Sequence, residues 1–442
     1  MRFIGLDIHR DFCEVAIAAE GEVRSAGRIE TAPAALELFA QSLGANDQVA
    51  LEATGNALAI ARILEPHVGR VVIANARALR ALSSLKAKTD RLDARTLAEL
   101  LAAGLLPAVW AGDEETRALR RRISRRAQLV KQRSRAKNEI HAVLTRNLKQ
   151  RPPVSDLFGK GGRRWLATLE LPLDERQTVD GCLRQVDFLD GELALIDRAI
   201  AGHALGSREI RRLMTIPGVD VTVAAAFMAC VGDIARFPTP RHLVSYLGLD
   251  PKVRQSGIEP ARHGRISKQG SSQARCMLVE AAWLAVRTPG PLRAFGERIR
   301  NRRGPQVATV AVARKLVVLA WHMLTSEQDY AFARPSLTRF KLRRLELRTG
   351  AERLTGRRPS VRIVPTPQQT AAEREVAAQA EATYRRLVKD WQQQAKSGAG
   401  AAPGRASLAA RQGQAPDPAL SLAVARAASD SRKGARNRPA TT

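Results

Sequence analysis

The sequence predicts an α/β domain with a mixed sheet, followed by a helical arm, a mainly helical second domain and a disordered basic tail. Three observations predict this. The first hundred residues alternate short apolar strand-like runs with helical stretches. Two later stretches carry thin apolar seams at helical spacing. The end of the chain is Ala, Gly, Ser, Pro, Gln and Arg without periodicity.

Element by element, residues 3–9 and 12–18 read as strands, and Gly21 marks the turn into a third over 23–29. Thr31, Ala32 and Pro33 are expected to cap a helix through residue 43. A short buried-type strand at 48–52, ending in a carboxylate, is followed by a helix at 58–64. Another buried-type strand lies at 71–74, and residues 90–101 form an amphipathic helix. A three-strand meander followed by β-α units predicts the mixed sheet. Further on, Leu119, Ile123, Ala127 and Val130, continued by Ile140, Leu144 and Leu148, form one seam that Pro152 and Pro153 end. Leu189, Leu193, Ile196 and Ile200 form a second, so an antiparallel coiled coil or dimer arm is expected. Residues 216–220 look like the turn of a helix-hairpin-helix unit. The expected domains are 1–112, 113–205 for the coiled-coil arm, 206–330, and a largely disordered tail over 331–442 with an isolated helix at 371–395.

Charge narrows the function class. The 442 residues hold 72 Lys+Arg against 43 Asp+Glu, a net +29. That excess points to a polyanion, nucleic acid first. A GC-rich genome explains Arg over Lys but not the shortage of acids. The charge is also partitioned: residues 1–110 carry a net −1, 111–151 a net +9 and 331–442 a net +14. The four cysteines, Cys13, Cys182, Cys230 and Cys276, form no CxxC pair, which excludes a zinc ribbon or disulfide scaffold. The N-terminus does not read as a signal peptide, and no run of eighteen apolar residues is present. A cytoplasmic protein with no membrane partner is expected.

Four carboxylates stand out in the first domain. Asp7 and Glu52 fall at or near the ends of apolar strands, where a carboxylate is expensive unless something pairs with it. Asp90 and Asp93 are three apart at a helix start and share one face. Hard oxygen donors of this kind suit Mg²⁺ or Mn²⁺, and two such ions assist phosphodiester chemistry. Asp90 equally suits an N-cap, and Asp93 a solvated acid or ion-pair partner.

The residues around these acids carry a resemblance. Gly5-Leu6-Asp7-Ile8-His9, Leu51-Glu52-Ala53-Thr54-Gly55 and Lys88-Thr89-Asp90-Arg91-Leu92-Asp93-Ala94-Arg95 resemble the three acidic motifs of the DEDD transposases of bacterial insertion sequences. This is the "insertion sequence one-ten" group, also called bridge-RNA-guided recombinases. In the second half, Thr215-Ile216-Pro217-Gly218-Val219, Tyr246-Leu247-Gly248-Leu249-Asp250-Pro251, Gln255-Ser256-Gly257 and Gly264-Arg265-Ile266-Ser267-Lys268-Gln269-Gly270 resemble its C-terminal serine domain. The resemblance covers about residues 1–330 and does not reach the tail.

It implies a RuvC-like, ribonuclease-H-type first domain with Asp7, Glu52, Asp90 and Asp93 as metal ligands, and Ser256 as the nucleophile of the second domain. It also implies a coiled-coil link, homodimers or homotetramers with a composite site, and a non-coding guide RNA that pairs with element-end and target DNA. Ser-Gly is by itself an ordinary turn pair, and Ser267, Ser271 and Ser272 compete with Ser256. Arg254, Arg262, Arg265 and Lys268 are near enough in sequence to hold a phosphate. The turn at Gly218 can offer backbone amides to one, or be a plain helical turn. The expected function is RNA-guided cutting and rejoining of DNA strands. The rivals are a metal-dependent junction nuclease using water and a non-catalytic nucleic-acid-binding protein.

Overall fold

The structure is a computed structural model that describes residues 1–75, 79, 89–150, 152–351 and 366–397. Two compact units, Met1–Asp113 and Glu114–Thr442, divide it.

The first unit is built on five strands: β1 (Phe3–Ile8), β2 (Phe12–Ala19), β3 (Glu22–Glu30), β4 (Gln48–Glu52) and β5 (Arg70–Ala74). Their order is β3-β2-β1-β4-β5. β1, β2 and β3 pair antiparallel, whereas β4 runs parallel to β1 and β5 parallel to β4. The expected mixed sheet is therefore present. On one face Ile4, Leu6, Cys13, Val15, Val49 and Leu51 pack against helices α1 (Pro33–Gln41) and α2 (Ala57–Leu64). On the other, Ala16, Ala18 and Ala50 meet Ala94, Leu97, Ala98 and Leu101 of helix α3 (Asp90–Ala102). Burial on both faces explains why these strands read as apolar runs rather than as strict alternation.

Gly5 fixes how closely α3 approaches. A Cβ there would lie 2.1 Å from the Ala94 carbonyl oxygen and 2.7 Å from the Ala98 nitrogen. The helix backbone therefore rests directly on β1. The expected Thr31-Ala32-Pro33 cap is met in part, with Pro33 opening α1 but no side chain capping it. The N-cap is Ala32, and the Thr31 hydroxyl donates instead to the Arg10 carbonyl at 2.5 Å.

The second unit opens with a long antiparallel helix pair, α4 (Glu114–Arg146) and α6 (Leu173–Gly206). Ion pairs fix the direction: Arg126–Asp197 at 2.6 Å, Arg133–Asp190 at 2.5 Å and Arg146–Glu175 at 2.5 Å. Moving forward along α4 means moving backward along α6. The seam departs from the expected register. Leu129 is buried against Leu189 and Leu193, whereas Ala127 is exposed and Leu148 lies beyond the helix end. Arg126, turned towards Asp197, takes the position between Ile123 and Leu129 on the paired face. Helix α5 (Lys160–Thr168) closes one end through Leu166, which packs with Ile140, Val143, Leu144, Leu157 and Val179.

The remainder is mainly helical: α7 (Arg208–Leu213), α8 (Val221–Val231), α9 (Pro240–Tyr246), α10 (Ser272–Ala285), α11 (Pro291–Arg303), α12 (Pro305–Thr325), α13 (Pro335–Arg348) and α14 (Pro367–Ser397). A small hairpin, β6 (Pro251–Arg254) and β7 (Arg262–Ile266), precedes α10. The core gathers Ala224 and Phe227 of α8, Leu278 and Ala282 of α10, and Val312, Leu316 and Ala320 of α12. By length and composition α12 would pass for a membrane span, but most of it is buried in this core.

The region expected to be a tail is corrected in its described part. α13 and α14 are folded against the unit: Leu345, Tyr384 and Val388 join the core, and buried Glu381 receives the Gly290 N–H at 2.9 Å and pairs with Arg293 and Arg385. Polar composition hid these anchors among many charged residues. Residues 352–365 and 398–442 lie outside the described ones.

Candidate active site

The acidic site is assembled at the end of the sheet from which β1 and β4 emerge. Asp7 is the next-to-last residue of β1, and Glu52 is the last of β4. The parallel register pairs Leu6 with Leu51, so the two carboxylates follow side by side. Both stand on the α3 face, by the same alternation that puts Gly5 and Ala50 there. The close packing of α3 on Gly5 then brings the first turn of that helix, with Asp90 and Asp93, to Asp7.

Asp90 is not the helix cap. Thr89 is, its hydroxyl accepting the Leu92 N–H at 3.3 Å, which leaves the Asp90 carboxylate available to the site. Asp7 is 5% exposed. Burial pushes its carboxyl above the usual range; nearby His9 opposes the shift, and Asp93, Glu52 and Asp90 add to it. The other three sequence-predicted acids are therefore near enough to act electrostatically on Asp7.

His9 joins them, although the sequence reading did not select it. Its Nε2 lies 3.2 Å from Asp7 Oδ2 and 3.4 Å from Asp90 Oδ2. Asp7, His9 and Asp90 each offer a ligand atom within 4.8 Å of the others, a spacing that fits one cation. Oxygen donors dominate the set, which suits a hard divalent ion. The signal for His9 was its position two residues after Asp7 in the same strand-end motif.

Two profile matches decide what this site belongs to. A family described as "Transposase IS116/IS110/IS902 family" matches residues 210–297, and a DEDD transposase profile of the IS110 type matches 4–148. The chain belongs to the IS116/IS110/IS902 transposase family. Its DEDD domain implies use of a divalent metal, and the enzyme is a transposase or recombinase acting on DNA. Among relatives, a Sinorhizobium fredii protein bearing a transposase name is 29% identical over 287 residues, 64% of this chain and 71% of its own. The transposase for insertion sequence element IS1111A of Coxiella burnetii is 28% identical over 55% of this chain and 68% of its own. The pilin gene-inverting protein of Moraxella bovis is 26% identical over 27% of this chain and 37% of its own.

In the second unit of the transposase, the β6–β7 hairpin carries Ser256. The residue is exposed in the loop between the strands, beside Gly257 at φ +57°. Arg254 and Arg262 are directly paired across the hairpin where the strands meet this loop. Like charges placed opposite each other are unfavourable without an anion between or beside them, and Glu259 meets Arg262 at 3.1 Å. Arg265 and Lys268 are exposed further along the same arm.

Two of the three competing serines are already engaged. Ser267 donates to Asp250 at 2.7 Å, and Ser271 caps α10 by accepting the Ala274 N–H at 3.2 Å. Ser272 begins that helix. The structure gives Gly218 a packing role. A Cβ there would lie 2.6 Å from the Ala281 carbonyl oxygen, and its φ is +87°. The carbonyls of Met214, Ile216 and Val219 in the same turn converge on Lys341 Nζ at 2.7, 3.0 and 2.8 Å. The turn thus packs Gly218 against α10 and gives its carbonyls to α13.

Proposed function

We propose that this transposase cuts and rejoins DNA strands with Ser256 as nucleophile, and that Asp7, Glu52, Asp90 and Asp93 hold magnesium for that reaction. The observation that carries the reading is the desolvated Asp7 carboxylate with three further carboxylates gathered around it. Such a cluster opposes its own folding until a cation joins it, and perturbed acids of this kind concentrate at functional sites. Magnesium or manganese, when bound, supplies charge neutralisation at a phosphate and a lower pKa for an attacking oxygen.

The chain's own steps follow from ordinary phosphoryl chemistry. Ser256 Oγ attacks phosphorus, a bond from Oγ to phosphorus forms, and the bond from phosphorus to one sugar oxygen breaks. The serine proton passes to a base and the sugar oxygen leaves as a hydroxyl. Attack by a second sugar hydroxyl on the serine phosphodiester reverses these changes, frees Ser256 and rejoins a strand. One bond forms for each that breaks, so no external energy source is required. Arg254, Arg262, Arg265 and Lys268 hold the phosphate during transfer. Exposure of Ser256 at a hairpin tip supports its presentation to a large substrate.

The finer parts of the reading rest on the resemblance and on charge. They are a RuvC-like first domain, a composite site in a dimer or tetramer, action in the cytoplasm and a guide RNA. The basic stretch 111–151 supports a nucleic-acid backbone contact, and scarce aromatics favour shape and backbone readout over base stacking. The test is a denaturing gel of the protein with element-end DNA, flanking transcript and Mg²⁺, beside Ser256→Ala. A DNA-linked protein band that disappears in the variant is the expected result. Free cleaved DNA in both lanes would replace Ser256 with water as the nucleophile, and binding without either product would support the non-catalytic alternative.

A further inference from the structure

Glu14 lies outside the four acids, yet it is more deeply buried than any of them, at 1% exposure. It faces Asp7 directly across the β1–β2 pairing, on the same side of the sheet. Two arginines from two different elements reach it. Arg28 of β3 places Nε 2.7 Å from Glu14 Oε2, and Arg91 in the first turn of α3 places Nε 3.3 Å from Glu14 Oε1. Each arginine is held by its inner nitrogen, and the two use different carboxylate oxygens. Both remain largely exposed, with side chains 59% and 78% accessible.

Arg28 is further fixed by stacking over the Phe12 ring at 4.4 Å, and its Nη2 lies 3.9 Å from Asp90 Oδ2. A terminal nitrogen of Arg28 therefore stands at the rim of the acidic site, and Arg91, next to Asp90 in the chain, shares its carboxylate anchor. A DNA strand approaching a cluster of carboxylates is repelled unless cations receive its phosphates. Exposed, oriented guanidinium forks are suited to that task.

We propose that Arg28 and Arg91 form a binding site for a DNA backbone phosphate beside the acidic cluster, and that Glu14 is the positioning residue that holds both. The proposal rests on the reading of the acids as the site of DNA chemistry. It makes its own claim about binding, which is measured without that chemistry. The competing account is that the arginines serve only as counter-ions to a buried carboxylate.

The experiment measures binding of the full chain to a duplex of unrelated sequence in EDTA, across a range of salt. Each phosphate contact contributes about 0.9 to the slope of log affinity against log salt. Because removing the arginines alone strands a buried carboxylate, the deciding variant is the triple Glu14→Gln, Arg28→Gln, Arg91→Gln. The expected slope falls by about 1.8, the sum for two contacts. An unchanged slope in a variant that still melts cooperatively would overturn the phosphate site. Glu14→Gln alone keeps both positive charges, so its slope is expected to hold while DNA cleavage at saturating DNA and Mg²⁺ falls at least about tenfold. Cleavage equal to wild type in that variant would overturn the positioning role. Arg28→Lys is expected to retain the slope without restoring full cleavage, since a lysine carries the charge but not the oriented fork. Loss of cleavage in Ser256→Ala bears on the serine chemistry and leaves these binding results untouched.

Discussion

At the scale of single residues, Asp7 illustrates how function opposes stability. Its carboxyl is raised by burial and by its acidic neighbours, so the charged form costs folding free energy at neutral pH. Asp7→Asn removes that charge at nearly constant volume. In EDTA the variant is expected to melt at or above the wild-type temperature, while Mg²⁺ raises the midpoint of wild type only. Strand transfer is expected to fall at least about 100-fold, equivalent to roughly 2.7 kcal/mol of transition-state stabilisation. Calorimetry with and without Mg²⁺ separates the two effects, and an equal Mg²⁺ response in both proteins would contradict the metal role. Asp7 and Glu52 were legible because a carboxylate ending an apolar strand is anomalous, and Asp90 and Asp93 because they share one face at a helix start. Glu14 carries the same anomaly within β2 but has no neighbouring motif to draw attention to it. His9 was hidden because a histidine near a strand end has many ordinary explanations.

At the scale of elements, the decisive contact is that of α3 on β1. The sequence showed both elements, but their mutual approach is written only in the missing side chain of Gly5. Gly5→Ala forces a methyl group to within 2.1 Å of the Ala94 carbonyl oxygen, so the helix must move away. The expected cost is about 1–3 kcal/mol from overpacking, with loss of strand transfer as Asp90 and Asp93 shift. Thermal unfolding and the denaturing gel measure both, and normal activity would refute this account of how the site is built. The α4–α6 pair was legible as two apolar seams, but its register was not. Ion pairing of Arg126 with Asp197 and the burial of Leu129 depend on the partner helix, which spacing within one helix does not specify. Leu129→Ala is expected to cost about 2–5 kcal/mol, against little for Ala127→Ser on the exposed face. Equal midpoints for the two variants would show that the seam is misassigned.

At the scale of the whole chain, composition separated a nearly neutral first domain from basic segments, but it misjudged where folded structure stops. Two described helices lie within the expected tail, and each is attached to the core by a few residues among many charges. Lys341 of α13 is the clearest attachment, because one ammonium serves the three carbonyls of the 214–219 turn. Burial pushes its pKa down to about 8, so the amine is still mostly protonated at neutral pH, with three N–H donors for three acceptors. Lys341→Met fills a similar volume but donates nothing. Each buried carbonyl left without a donor costs about 1–3 kcal/mol, and relaxation of the turn lowers the total below the simple multiple. The expected loss is therefore about 3 kcal/mol, read as a lower unfolding midpoint. Lys341→Arg restores positive charge and donors but not the compact fit, so only partial recovery is expected. If Lys341→Met melts with wild type, α13 is an appendage and the expected boundary at residue 331 was the right one. If it is destabilised as expected, the folded second unit extends through α13, and polar composition alone had placed its end too early.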